Sequence, residues 1–306
     1  TEAYDQIKVD AILNEIDGWT SGHTSRPGTP AIFGMNFQAV SVGQKLIDPW
    51  LSCVRSGNAP GCDPSYVPGG YEPGTLAFTP QLRGAIRFVD RSLATMVREL
   101  KRTGQLARTD IIVTAKHGQS PIDPSKLAKI GHKEGSVVTS AGVDIAQLTD
   151  DDIALMWLSD QAQTATAVAA LMADKAGANT ARTDYVLSGQ ALIDKFGDPS
   201  VDPRTPDLIV QPIVGTIYSK SGAKVAEHGG FALDDTNVAL IVTRGWQLQR
   251  TWHGRSLGNR WLGGRIVSEP VATTQVAPTI LELLGLDPSA LDAVRMEGTQ
   301  VLPSAG

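Results

Sequence analysis

No apolar run in this chain approaches the ~20 consecutive residues that a membrane-spanning helix requires, so a soluble chain is expected. An excess of positive charge is also missing. Lysine and arginine total 27 against 32 acidic residues, and the net charge of -5 leaves no basic footprint for a nucleic-acid duplex. Internal repeats and low-complexity tracts are absent. Cysteine is scarce: Cys53 and Cys62 are the only two, in the Gly- and Pro-containing stretch Cys53-Val-Arg-Ser-Gly-Asn-Ala-Pro-Gly-Cys62. Their even number and close spacing favour a small disulfide loop made in an oxidising compartment, with two unrelated free thiols as the alternative. The chain opens on Thr1 without an initiator Met, as a mature secreted protein or a processed fragment would. An extracellular, periplasmic or other secretory location is therefore expected. What is present is an ordinary globular composition, 42% hydrophobic and 19% charged, which argues against disorder. A length of 306 residues allows one large α/β domain or two smaller ones.

Periodicity gives a coarse order of elements. Tyr4–Ile16 carries apolar residues at helical spacing, and Ala31–Val42 reads as a buried strand. Residues 48–79 are rich in Pro and Gly and read as a surface flap that holds the cysteines. Thr79-Pro80 then opens a helix, with Thr79 as N-cap and an apolar stripe from Leu82 to Leu100 that Gly104 ends. Ile111–Ala115, Ile153–Leu158, Asp207–Ile213 and Val238–Val242 read as strands. Ser159–Ala176, with Ser159 as its cap, and Gln275–Leu286 read as helices. Helices alternating with short apolar strands predict an α/β fold with a central, mostly parallel sheet flanked by helices.

Three segments carry a more specific signal. They are Gln38-Ala39-Val40-Ser41-Val42-Gly43-Gln44-Lys45, Ile111-Ile112-Val113-Thr114-Ala115-Lys116-His117-Gly118-Gln119-Ser120, and Glu227-His228-Gly229-Gly230-Phe231. In order and spacing they resemble the type I phosphodiesterase/nucleotide pyrophosphatase family of the alkaline phosphatase superfamily, whose motifs read PDSxGH, SDHG and HG. The run Val276-Ala277-Pro278-Thr279-Ile280-Leu281-Glu282-Leu283-Leu284-Gly285-Leu286 resembles that superfamily's C-terminal helix. The resemblance covers about Ala31 to Leu302 and implies one alkaline-phosphatase-like domain over 1–306. It also implies a phosphoric ester hydrolase acting on phosphodiesters or nucleotide pyrophosphates, with two cations, zinc or manganese. The family's N-terminal portion, a strand ending in a metal-binding Asp followed by a Thr or Ser nucleophile, has no counterpart before Ala31. A separate N-terminal chain could supply it.

The aligned ligand positions are mostly altered. Val40 and Gln44 stand where the family has Asp and His, and Lys116 stands where it has Asp; only His117 and His228 remain. Valine cannot ligate, an amide carbonyl is a weak donor, and an ammonium repels a divalent ion. The resemblance would still give His117 and His228 as metal ligands. Together with Lys116, they form the candidate catalytic set. A fixed Lys116 ammonium could instead hold a phosphate or another small anion where a metal would sit, with Asn36 and Gln44 as neutral hydrogen bonders. The plainer alternative pairs Lys116 with a nearby carboxylate. Two functions follow: a hydrolase with an altered metal site, or an inactive relative that binds phosphate-like anions as a binding or storage protein.

Other residues invite weaker readings. His132 lies in a polar loop, and His23 and His253 lie in irregular polar stretches. Asp207 is expected to shape the start of a strand, and Asp234-Asp235 to turn the chain. Glu72 is one of the acids in the flap, and Trp246, Trp252 and Trp261 are read as a packed loop.

Overall fold

The computed structural model describes residues 1–46, 69–219, 224–245 and 266–303. In chain order the first helices are α1 (Glu2–Ile16), α2 (Ala39–Lys45) and α3 (Pro80–Arg102), followed by strands β1 (Asp110–Thr114) and β2 (Ala128–Lys129). Then come α4 (Lys133–Ser140), β3 (Ile145–Asp150), β4 (Ala154–Leu158), α5 (Thr164–Ala176), β5 (Thr183–Ser188) and α6 (Gly189–Phe196). The rest are β6 (Leu208–Pro212), β7 (Thr216–Ile217), α7 (Leu233–Thr236), β8 (Leu240–Arg244), α8 (Val276–Leu283) and α9 (Asp292–Glu297). The mix is α/β, and the chain divides into two compact units.

The first unit comprises Thr1–Phe37, Phe88–Lys116 and Val238–Gly306. Val9, Ile12 and Ile16 recur along α1 at helical spacing and bury against Met96 and Leu100 of α3 and against Leu106. The expected strand at Ala31–Val42 does not form. Phe33, Met35 and Phe37 alternate as a strand would, but they pack against this helical core without forming a regular strand. Residues 39–45 then coil into α2. Strand β1 is found where expected, one residue earlier, and pairs antiparallel with β8.

The second unit comprises Gln38–Arg87 and His117–Asn237. Thr79 caps α3 as anticipated: its Oγ1 accepts from the Leu82 amide at 3.3 Å and donates to the Gly69 carbonyl at 2.7 Å. The main sheet has the order β3-β4-β6-β5. Leu208, Ile209 and Val210 of β6 are all buried, because alternate side chains enter different clusters. Leu208 and Val210 join Met156, Ala167, Leu171 and Val138, while Ile209 joins Ile153, Leu187 and Leu192.

The mostly parallel sheet expected from the alternation of elements is not seen among the described residues. Among the described residues, β3–β4, β4–β6, β5–β6 and β1–β8 are antiparallel, and only the short β2–β7 pair is parallel. The physical reason is clearest at β3–β4, where the link Asp151-Asp152-Ile153 is far too short for a parallel crossover. The helix expected from Ser159 begins at Thr164 instead. Asp160 accepts from the Ala162 amide at 3.0 Å and caps a preceding 3-10 turn, displacing the helix start. Cys53, Cys62, His253 and the three tryptophans singled out above fall outside the described residues, as does most of the flap at 48–79.

Candidate functional site

The site is built by backbone pairing within the second unit. Ser120 and Glu227 exchange two backbone bonds, Ser120 N to Glu227 O at 2.7 Å and Glu227 N to Ser120 O at 2.9 Å. The Gly118 amide donates to the Asp235 carbonyl at 2.6 Å, and the Gln119 amide donates to the Asp234 carbonyl at 3.1 Å. Residues 118–120 are thereby held against both 227 and 234–235. His117 and His228, which flank these contacts in sequence, stack with ring centroids 3.8 Å apart and planes 23° from parallel.

Gly118 makes this approach possible. A Cβ there would lie 2.0 Å from the Asp234 carbonyl oxygen, a backbone atom that cannot swing aside. Gly118→Ala is therefore expected to destabilise the chain by about 3 kcal/mol or more, at or beyond the upper end of ordinary overpacking. Urea unfolding measures it, and a variant within 0.5 kcal/mol (about the scatter of a neutral surface change) would contradict this packing.

Both rings are half-buried. His117 Nδ1 lies 2.7 Å from the Gly118 carbonyl oxygen. A carbonyl only accepts, so Nδ1 carries the proton and Nε2 is the basic nitrogen.

Two carboxyl groups accompany the histidines. Asp152, in the β3–β4 turn, and Asp235, in α7, are almost fully buried, and no hydrogen bond within ordinary limits reaches any of their four oxygens. Burial, and then the neighbouring Asp235 charge, push the Asp152 carboxyl up to about 9. Asp235 is also raised by burial, an effect that Asp152, the Gly229 amide and the charge of His117 offset in part. Two such groups side by side retain one proton between them at neutral pH. Gly230 allows this closeness: a Cβ there would meet Asp235 Oδ2 at 3.0 Å, Gln211 Oε1 at 3.2 Å and Asp152 Oδ2 at 3.4 Å. In the sequence Asp235 reads as a turn residue, and Asp152 carries no motif that marks it as a site residue. Of the adjacent pair, Asp234 does bond to backbone, accepting from the Ile122 amide at 2.8 Å.

The remaining candidates fall as follows. Lys116 is exposed at the last position of its segment in the first unit. Asn36, also in the first unit, is exposed, and its carbonyl accepts from Lys8 Nζ at 2.5 Å. Gln44 belongs to the second unit, where its amide donates to the Tyr71 hydroxyl at 3.0 Å. Lys45 at 3.7 Å and Lys224 in closer contact both face buried Glu227, which commits these cations to an ion pair. Asp207 accepts from the Leu158 amide at 2.7 Å and so fixes the start of β6, as expected. His132 sits beside Asp150, not with the paired histidines.

Comparison with known proteins places these segments in context. The model of the type I phosphodiesterase / nucleotide pyrophosphatase family matches residues 70–255. No curated protein matches the chain. Among solved structures, human ectonucleotide pyrophosphatase/phosphodiesterase 5 is similar at 13% identity and TM-score 0.40, over 56% of this chain and 43% of that one. The murine counterpart, an inactive variant in complex with AMP, gives 16% identity and TM-score 0.40 over the same shares, 56% and 43%. The alkaline phosphatase PafA gives 16% identity and TM-score 0.45 over 71% of this chain and 42% of that one. The chain thus spans less than half the length of each.

Proposed function

Because this chain belongs to the type I phosphodiesterase/nucleotide pyrophosphatase family, matched over residues 70–255, we propose that it is a phosphoric ester hydrolase. Its substrates in this reading are phosphodiesters or nucleotide pyrophosphates, and its reacting groups are His117 and His228. The observation that carries the proposal is the 3.8 Å stacking of the two imidazoles, each from a family motif.

The family's two-cation centre does not fit the donors described. Val40 has no donor atom, the Gln44 amide is engaged with Tyr71, and Lys116 carries positive charge at an Asp position. Two imidazoles alone fall short of the three or four ligands normal for zinc. The chemistry is therefore assigned to the chain's own groups. His117, with Nδ1–H bonded to its neighbouring carbonyl, offers Nε2 as a base toward an attacking water or a supplied hydroxyl nucleophile. His228 in its protonated form passes a proton to the leaving oxygen. The buried Asp152–Asp235 pair, negative when it retains a single proton, stabilises the imidazolium that forms at His117. As the residue next to His117 in sequence, Lys116 is the cation this reading assigns to the phosphate. Lys116→Glu is accordingly expected to weaken inorganic phosphate binding at least tenfold by calorimetry without a change in the melting curve. Unaltered affinity would remove Lys116 from the site.

A second reading rests on the three replaced ligand positions, Val40, Gln44 and Lys116: a non-catalytic relative that binds small phosphate-like anions. Turnover of bis-p-nitrophenyl phosphate, with elemental mass spectrometry on the same sample, separates the two. Turnover supports the hydrolase. An inactive protein that still binds phosphate supports the second reading.

A further inference from the structure

A second constellation lies elsewhere in the second unit, and the proposed hydrolysis makes no use of it. His132 immediately precedes α4, Glu134 lies in its first turn, and Asp150 ends β3. One donor atom from each lies within 4.8 Å of the others, and His132 Nδ1 is 2.5 Å from Asp150 Oδ2. We infer that His132, Glu134 and Asp150 bind one divalent transition-metal cation of the zinc or manganese type.

Glu134 is the fully buried member of the three. Its side chain has no exposed surface, and no hydrogen bond within ordinary limits reaches either carboxyl oxygen. A buried carboxyl without a donor is costly, and such groups in proteins are normally paired or coordinate a metal. Among the described residues, no lysine or arginine forms an ion pair with Glu134 or Asp150. The partner on hand is the His132 imidazole, which is about 61% exposed and free to adjust. One imidazole nitrogen and two carboxylate oxygens make a donor set that suits zinc, manganese or cobalt, and three protein ligands leave a position for water. Bonds of about 2.0–2.2 Å place ligand atoms roughly 3–3.5 Å apart, so a cation entering here would part His132 from Asp150 by under about 1 Å. The short link from β3 to β4 fixes Asp150, and α4 fixes Glu134, so two of the three donors stand on regular elements.

The test uses the whole chain, stripped with a chelator and titrated with zinc or manganese alone by calorimetry. Cobalt absorption reports the coordination geometry. One bound equivalent is expected, weakened at least ~100-fold by His132→Ala, since even an outer-shell partner of a metal ligand is worth 10–100-fold. His132 makes no side-chain cap bond to α4, so this variant should fold; Glu134→Gln provides the independent check. The equivalent should persist when His117 and His228 are both replaced by Ala, which keeps this site separable from the proposed hydrolase centre. Three results would overturn the assignment: no cation bound, binding unmoved by His132→Ala, or binding lost only with the paired histidines. The first would leave Glu134 and Asp150 sharing a proton alone.

Discussion

Replacing His117 or His228 with alanine is expected to lower kcat/KM for bis-p-nitrophenyl phosphate by about 10²–10⁴, the range of general acid–base contributions. The effect should be this large because the two rings form one stacked pair 3.8 Å apart in which each has its own role, His117 as base and His228 as acid, so neither replaces the other. The double variant should lose little more than the worse single one, because groups acting in one proton-transfer sequence are strongly non-additive. Melting curves should change little, since both rings are only half-buried and what joins their segments is backbone bonding between Ser120 and Glu227. Wild-type turnover in both variants would remove the paired histidines from the chemistry. It would leave the anion-binding reading in its place.

The second large effect concerns pH. Asp152 has its folded-state pKa pushed up to about 9 by burial and by Asp235. Its ordinary value is about 3.9. The folded form thus holds a proton that the unfolded chain releases. The stability this group contributes is complete below about pH 4 and is lost progressively as pH rises toward 9. Wild-type Tm, measured with a chelator present, should therefore fall from pH 5 to pH 9. Asp152→Asn, which keeps the shape and cannot ionise, should give a flatter profile and melt higher than wild type at pH 9. Each kcal/mol of difference corresponds to about 2–4 °C for a compact unit of 150–250 residues. Parallel profiles would mean that the carboxyl pair does not carry the extra proton.

Much of the helical framework was legible because burial on one side leaves a 3.6-residue rhythm. The stripes of α1 and α3 are examples, and so is the Thr79-Pro80 start. Strands β1, β4, β6 and β8 were legible as short apolar runs. Their pairing direction was not, because an apolar run reads alike in either sense, and connection length decides the matter only once both ends are known. Strands β3 and β5 escaped for another reason. Ile145–Asp150 and Thr183–Ser188 are half exposed and carry polar residues, so neither reads as core.

At the site, His117 and His228 stood out through motifs. The carboxyl groups did not, because an Asp beside a turn reads as a cap. Asp152 and Asp235 differ from such caps only in burial, which depends on chain folded from far away in sequence. The run Asp150-Asp151-Asp152 before an apolar strand was the one local hint. The same holds for Glu134, whose missing donors cannot be read from His132-Lys133-Glu134 alone.

The pairing of β1 with β8 bears on how the chain matures as it is synthesised. Strand β1 is complete at Thr114, but β8 begins only at Leu240. At 5–20 residues per second, on the order of ten seconds of translation separate the two. Every segment of the second unit has been made by Asn237, before β8 exists. The unit that carries both histidine clusters can therefore close while the first unit still waits for a strand.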